Sequence, residues 1–171
     1  MPDSEKYLLE ILEELVHGKV EFIVCGGLAA VLHGVERLTL DMDISLSMKP
    51  SNLKRFLKAM RKMNMVPRAP VPAETIMDKK MLETIVNQKG ALVFTFVGSD
   101  SPFKQIDVFI TEELSFEKLR PYICPVELEE GCRIAILSAE KLLEMKLRIN
   151  PPREKDISDI RALKGILGRR K

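Results

Sequence analysis

The spacing of apolar residues predicts both helices and strands along this chain. Over 7–16 the apolar positions recur at i, i+3 and i+4, the period of one helical face, and Gly18 ends the segment. A continuous apolar run over 20–25 is typical of a buried strand, and two glycines at 26–27 break it. The good helix formers at 28–32 then predict a short helix.

The clearest strand pattern is the alternation between apolar and polar residues over 38–47. A period of two places successive side chains on opposite faces of a sheet. One face carries Leu40, Met42, Ile44 and Leu46, and the other carries Thr39, Asp41, Asp43, Ser45 and Ser47. The segment is therefore predicted to be a strand with one apolar and one polar face.

The remainder of the chain is predicted to continue as helices and strands. The predicted elements are a helix over 51–63, an irregular stretch over 65–75, a helix over 76–86, strands over 91–97, 103–110 and 132–137, and helices over 139–149 and 156–167. A G-S-D-S-P turn predicts that the first two of these strands form an antiparallel hairpin. The apolar stripes of the last two helices are Leu142, Leu143 and Leu147, and Ile157, Ile160, Leu163 and Leu167.

These elements predict a mixed α/β (α+β) fold, with a mixed sheet of about five strands and helices packed on it. The chain contains no internal repeat and no long linker. Residues 1–171 are therefore expected to form a single domain, in which 138–171 make a C-terminal helical portion.

Composition indicates a globular protein rather than a disordered or membrane-spanning one. Of the 171 residues, 46% are apolar and 30% are charged. The longest nearly apolar stretch, 22–32, is shorter than the ~18 residues that a bilayer span needs. The first residues lack the basic and apolar regions of a signal peptide, so a cytoplasmic location is expected. Scarce Asn and Gln beside abundant Lys and Glu indicate a heat-adapted source.

One predicted helix carries an unusual concentration of positive charge. The helix over 51–63 has five cations and no acid: Lys54, Arg55, Lys58, Arg61 and Lys62. Solvated helix faces usually mix the two signs, because i, i+4 pairs of opposite charge stabilise a helix. Contact with nucleic acid or phosphate and plain solvation both remain open as explanations.

Two carboxylates on the predicted strand over 38–47 indicate a metal site. Asp41 and Asp43 are at i and i+2, so they share a face at about 6.6 Å between α-carbons. Two such side chains can bind one divalent ion or bridge two, and oxygen-only ligands favour Mg²⁺ or Mn²⁺. Two histidines and three scattered cysteines do not make a zinc site. A simple solvent-exposed strand face is the alternative.

A glycine turn precedes these carboxylates. Gly26 and Gly27 lie between the predicted buried strand and the short helix. Glycine allows a ligand to approach the backbone closely, and a helix N-terminus offers free N–H groups. The turn is therefore a candidate phosphate site, although a tight turn without a ligand has the same pattern.

A third carboxylate occurs on a later strand. Asp107 lies on the polar face of the run Q-I-D-V-F-I. If that strand pairs with the one that carries Asp41 and Asp43, the three side chains form a cluster suited to two metal ions. An exposed position at the surface is the alternative.

At this point the chain resembles the nucleotidyltransferase superfamily that includes DNA polymerase beta. The pattern G-G-x-A-A-x-x-H-G-x-x-R-x-T-x-D-x-D is most similar to AbiEii-type and related prokaryotic nucleotidyltransferases. Its positions here are Gly26, Gly27, Ala29, Ala30, His33, Gly34, Arg37, Thr39, Asp41 and Asp43. A late helical lysine and an R-x-K-D-x-x-D pattern add to the resemblance, at Lys146, Arg153, Lys155, Asp156 and Asp159.

The resemblance implies transfer of a nucleoside monophosphate from an NTP to an acceptor hydroxyl, with release of pyrophosphate. Asp41 and Asp43 would hold two Mg²⁺ (or Mn²⁺) ions on the triphosphate. Asp107 would bind the metal that activates the acceptor and would help to remove its proton. The amides of Gly26 and Gly27 would hold phosphates.

Further residues are candidates for nucleotide binding. Thr39 shares the face of Asp41, and Arg37 precedes it, so each could contact phosphate. Lys146 lies at the edge of an apolar stripe and is either a phosphate-binding cation or a lysine whose stem alone is buried. Asp156 and Asp159 lie at the start of the last helix, where acidic residues suit the helix dipole. The alternative is that they bind the base or position a lysine.

The sequence does not identify the acceptor or a protein partner. RNA, a protein side chain and a small molecule are all candidate acceptors, and the basic helix favours RNA. The resemblance is also consistent with a toxin–antitoxin or abortive-infection role, in which the chain would have a protein partner. A non-catalytic nucleotide-binding regulatory module is the main alternative. A D-x-D glycosyltransferase explains neither the glycine turn nor Asp107.

Overall fold

A computed structural model of the protein describes residues 3–101, 103–129 and 131–170. Its α-helices are α1 (Asp3–His17), α2 (Gly26–Leu32), α3 (Pro50–Lys62), α4 (Lys79–Lys89), α5 (Phe116–Leu119), α6 (Ala139–Leu147) and α7 (Glu154–Arg169). Its strands are β1 (Phe22–Val24), β2 (Asp41–Leu46), β3 (Met65–Pro67), β4 (Val93–Gly98), β5 (Gln105–Phe109), β6 (Ile123–Glu129) and β7 (Cys132–Leu137). Short 3-10 helices cover Ala73–Met77, Glu112–Leu114 and Arg120–Tyr122.

The strands form one mixed sheet in the order β3-β4-β5-β2-β1-β7-β6. The pairs β2–β5 and β1–β7 are parallel, and the other four pairs are antiparallel. The predicted mixed sheet with packed helices is confirmed, and so is the hairpin, formed by β4 and β5. No helix in the described part of the chain is long and apolar enough to cross a bilayer.

The sheet has seven strands where the sequence pattern predicts about five. The two unpredicted strands are those at the edges of the sheet, β3 and β6. β3 is only three residues long and includes Pro67, and β6 alternates between exposed and half-buried residues with no fully buried face. An edge strand needs little apolar surface, so its hydrophobic pattern is weak.

Several boundaries differ from those predicted. β2 begins at Asp41 rather than at residue 38, and Leu40 is 50% exposed instead of facing the core. The register of β2 with β5 likewise starts at Asp41, so the preceding residues lie outside the ladder. α4 begins after the N-cap Asp78, whose carboxylate accepts a hydrogen bond from the Met81 amide at 3.0 Å, and it ends at Gly90.

The apolar stripe predicted for each of the two C-terminal helices is wrong at one end, whereas Leu142 and Leu163 are buried as predicted. In α6, Lys146 is buried and Leu147 is 56% exposed. In α7, Asp159 is buried and Ile157 is 45% exposed. Both helices turn charged side chains inward because those side chains pair with one another, a contact that a pattern of apolar residues does not report.

The core lies on both sides of the central strands. Met42 and Ile44 of β2 and Ile106 of β5 are completely buried. On the α3 side, Phe56 meets Phe96 of β4 edge to face, with ring centroids 5.4 Å apart. A close-packed apolar layer therefore covers the face of the central strands that is opposite to the three predicted site carboxylates.

Replacement of Phe56 by alanine is expected to lower the free energy of unfolding by about 3–5 kcal/mol, because a buried ring leaves a cavity. Phe103→Ala is the matched control, since Phe103 is 59% exposed. Urea denaturation at pH 7 measures both changes. Similar losses for the two variants would contradict the burial of Phe56.

Candidate active site

The three carboxylates predicted to act together lie on two paired strands. β2 and β5 are parallel neighbours, and Asp43 is directly opposite Asp107 in their register. Asp41, two residues earlier, is opposite Gln105. Paired residues of parallel strands project to the same face, so the three carboxylates share one face at the start of both strands.

The Asp107 carboxylate is held by its neighbours. Thr95 Oγ1 of β4 donates a hydrogen bond of 2.6 Å to Asp107 Oδ1, and Gln105 Nε2 donates one of 2.9 Å to Oδ2. Arg68 in turn donates to Gln105 Oε1. The motifs did not reveal Thr95, because its contact with Asp107 depends on the β4–β5 pairing. Gln105 lies two residues before Asp107 on the same face of β5.

The Asp43 carboxylate lies in the least favourable electrostatic position of the three. Burial and the charges of Asp41 and Asp107 raise the pKa of Asp43 to about 6. Lys155 and Lys146 act in the opposite direction. Two lysines of the C-terminal helices are therefore close enough to influence the cluster, yet they do not cancel its negative charge.

Gly26 lies directly against Asp43. A β-carbon on Gly26 would overlap Asp43 Oδ2 and would lie 2.8 Å from its Cγ. Gly26 also has φ of +58°, in the left-handed region that side chains disfavour. The backbone of the turn can approach the carboxylates only because this residue is glycine.

Gly27 brings two more of the predicted residues to the turn. A β-carbon there would lie 2.9 Å from Thr39 Oγ1 and 3.1 Å from Arg37 Cζ and Nη2. Thr39 Oγ1 also donates to the Asp41 backbone carbonyl at 3.2 Å. The glycine turn, Arg37, Thr39 and the acidic cluster are thus one continuous surface.

The C-terminal candidates form a buried ion cluster instead of separate surface groups. Lys146 Nζ lies 3.3 Å from Asp156 Oδ1 and 2.7 Å from Asp159 Oδ2. Arg153 Nε lies 2.6 Å from Asp156 Oδ2 and, with a backbone bond, holds the pKa of Asp156 well below its usual range. Arg37 Nη1 completes the cluster with a hydrogen bond of 2.6 Å to Asp159 Oδ2. Lys146 is therefore paired inside the protein and does not extend to solvent.

An open cleft of about 370 Å³ adjoins the carboxylates. Apolar side chains line it and are unusually accessible, with Leu38 79%, Leu40 50% and Phe103 59% exposed. Its polar lining is Arg37, Thr39, Asp41 and Gln105. The cleft therefore offers both apolar surface and hydrogen-bonding groups at the edge of the acidic cluster.

The chemistry of the acidic cluster fits a divalent cation with oxygen ligands. A cation beside Asp43 would offset the repulsion that raises the pKa of that residue, and Mg²⁺ and Mn²⁺ prefer carboxylate oxygens. Within the three described ranges, however, no three His, Cys, Asp or Glu side chains are placed so that they could hold a metal ion together. Asp107 would have to exchange a hydrogen bond for a metal contact.

Two residues of this region make contacts that the sequence analysis did not predict. Asp159 is almost fully buried and pairs with two cations, and Lys155 is exposed on α7 near Asp43. Both belong to the R-x-K-D-x-x-D pattern, so the signal was present. Their spacing on one helix could not reveal that Arg37, more than a hundred residues earlier, reaches the same place.

Two solved structures described as nucleotidyltransferases have a fold similar to that of this chain. The lincosamide antibiotic adenylyltransferase LnuA, solved with lincomycin bound, matches with a TM-score of 0.62 and 15% identity over 95% of this chain and 97% of that one. A candidate nucleotidyltransferase from Thermotoga maritima matches with a TM-score of 0.53 and 16% identity over 99% of this chain and 95% of that one. At these identities the likeness shows the fold, which is that of a nucleotidyltransferase.

The family model described as "Nucleotidyl transferase AbiEii toxin, Type IV TA system" matches residues 10–167. The chain therefore belongs to the AbiEii nucleotidyltransferase family, an enzyme family, and the resemblance drawn from its motifs is confirmed. No curated protein matches the chain at a significant level.

Gly26→Ala is expected to lower the free energy of unfolding by clearly more than Gly90→Ala. Both glycines have left-handed φ, +58° and +63°, so each alanine costs about 1–2 kcal/mol in backbone strain. Only at Gly26 does the new methyl group also overlap the Asp43 carboxylate, whereas no atom lies within 4 Å of the corresponding position at Gly90. Urea denaturation distinguishes the two, and equal losses would contradict the close approach.

Proposed function

We propose that residues 1–171 form one catalytic domain that transfers a nucleoside monophosphate from an NTP to an acceptor hydroxyl with the help of Mg²⁺. The observation that carries the proposal is the register of β2 with β5, which places Asp41, Asp43 and Asp107 on one face. The contact of Gly26 with Asp43 adds a backbone turn to the same place. Membership of the AbiEii family supports nucleotidyl transfer.

Asp41 and Asp43 are assigned to the metal ions on the triphosphate, and Asp107 to the metal at the acceptor hydroxyl. When bound, Mg²⁺ supplies positive charge to the phosphoryl oxygens and lowers the pKa of a bound hydroxyl. Asp107 accepts the proton of the acceptor hydroxyl. The acceptor oxygen then bonds to the α-phosphorus as the bond to the pyrophosphate oxygen breaks.

The glycine turn and its neighbours are assigned to the triphosphate. The amides of Gly26 and Gly27 face phosphate oxygens, and the hydroxyl of Thr39 and the guanidinium of Arg37 lie beside Gly27. Lys146 and Asp156 complete the nucleotide site from the C-terminal helices. Lys146 acts as a nearby positive charge, since its ammonium is bound to two carboxylates.

RNA is the acceptor that we favour. In α3, Lys54 and Lys58 are exposed and form no ion pair with any acidic side chain in the described part of the chain. Arg61 and Lys62, by contrast, pair with Glu74 and Glu14. Exposed cations without acidic partners are the usual means of binding a phosphate backbone. A small-molecule acceptor is the competing assignment, because the neighbour LnuA is described as acting on an antibiotic.

The family description also names a toxin of a toxin–antitoxin system. We extend that role to this chain as a proposal: transfer to a cellular acceptor arrests growth, and a protein partner relieves the arrest. The role predicts that expression alone is harmful and that the harm requires the same carboxylates as the chemistry.

The proposal predicts that Asp43→Asn and Asp107→Asn each lower the rate of transfer at least 100-fold, because each removes a charged metal ligand. The assay follows the label from each α-³²P-labelled NTP into total RNA, with Mg²⁺ and with EDTA. Asp100→Asn is the matched control, since Asp100 is exposed at the β4–β5 turn and its ion pair with Lys104 is 3.8 Å long.

Full transfer by both variants would overturn the proposed mechanism. Nucleotide binding without transfer to RNA, protein or small molecules would instead favour the non-catalytic regulatory module. Loss of transfer in Asp100→Asn as well would show that the effect of the substitutions is not specific to the cluster.

A further inference from the structure

Asp159 joins three separate parts of the chain at a single carboxylate oxygen. Its Oδ2 lies 2.6 Å from Arg37 Nη1, in the segment before β2, and 2.7 Å from Lys146 Nζ of α6. Asp159 itself belongs to α7 and is 1% exposed. The side chain is therefore a buried hub between the glycine turn and the C-terminal helices.

A buried hub of this kind is not explained by stability alone. Removing charges from water costs several kcal/mol per ion, and well-packed apolar residues often stabilise a protein as much as a buried ion pair does. Asp159 nevertheless occupies a helical position where an apolar residue would pack against Leu163 and the core. Besides any effect on stability, the Asp159 carboxylate fixes the orientation of the cationic side chains that bind to it.

Of the two cations that Asp159 holds, Lys146 also pairs with Asp156, whereas Arg37 has Asp159 as its acidic partner and is oriented by three contacts. Nη1 is bound to Asp159, and Nε donates to the Leu38 carbonyl at 3.2 Å. Nη2 faces Gly27, where a β-carbon would lie 3.1 Å from it. Only 19% of the Arg37 side chain is exposed, so its guanidinium is fixed against the turn.

We propose that Asp159 is a positioning residue, which holds Arg37 against the glycine turn so that Nη2 binds the triphosphate. The inference depends on the proposed function, since it names a determinant of NTP binding at that site. A guanidinium that the protein already orients before the ligand binds loses little conformational entropy on binding phosphate. Its planar, forked arrangement of N–H groups also matches two phosphate oxygens. α7 thereby takes part in nucleotide binding without touching the nucleotide at this position.

A double-mutant cycle tests the positioning role. The variants are Arg37→Gln, Asp159→Asn and the two combined, and the measured quantity is the Kd for inorganic tripolyphosphate with Mg²⁺, by calorimetry. Each single change is expected to raise the Kd about 10-fold, from loss of one charge-assisted bond. The combined change is expected to raise the Kd no further than either single change, because Asp159 acts on the triphosphate through Arg37 while Lys146 still has Asp156 as a partner.

Two further variants separate positioning from folding. Asp78→Ala removes the side chain that caps α4, so it lowers stability with no expected change in the Kd. If Asp159→Asn does not fold, Asp159→Glu replaces it: the charge is kept but moved by one methylene, and binding weakens only when Arg37 is present. The Arg37→Lys variant, which keeps the charge without the fork, is expected to bind more weakly than the wild type.

The outcomes distinguish the two proposals. Wild-type protein that binds neither tripolyphosphate nor any NTP would overturn the proposed function, and the positioning role with it. If the wild type binds tightly but the double variant has a Kd raised about 100-fold, the two single effects are independent. That result would overturn the positioning role and leave the proposed function intact. A Kd that is unchanged in Asp159→Asn would do the same.

Discussion

The pairing of β2 with β5 is the constraint on which the arrangement of the candidate site depends. It places Asp43 opposite Asp107 on a sheet whose other face is a packed apolar core, so neither carboxylate can move far away. Burial, together with the charges of Asp41 and Asp107, raises the pKa of Asp43 to about 6. A cation beside the carboxylates would offset this repulsion. The close approach of Gly26 follows from the pairing of β1 with β2, because Cys25, just after β1, donates a backbone hydrogen bond of 2.8 Å to the Asp43 carbonyl.

The C-terminal helices supply a second layer of charge of the opposite sign. Lys146 and Lys155 partly offset the acidic cluster, and Asp159 links that layer to Arg37 beside the glycine turn. Residues far apart in the chain thus form one site with a negative centre and a positive rim. A metal–triphosphate complex carries the complementary charges, with a cation at its centre and phosphate oxygens around it.

Much of this could be predicted from sequence because the signals are local. The alternation around Asp41 and Asp43 and the glycine pair each lie within a short segment, and the mixed fold follows from the order of elements. What escaped prediction depends on tertiary contacts. The inward rotation of Lys146 arises only when α6 meets α7, and edge strand β6 has no fully buried face to mark it.

The most direct test of the account is the melting temperature with each NTP, with and without Mg²⁺, for the wild type and Asp43→Asn. At 100 times its Kd, a ligand stabilises by about 2.7 kcal/mol, or roughly 5–11 °C for a domain of this size. The account predicts such a rise for the wild type only with Mg²⁺ and an NTP together, and none for the variant. An equal rise in both proteins, or no rise in the wild type with any NTP, would contradict it.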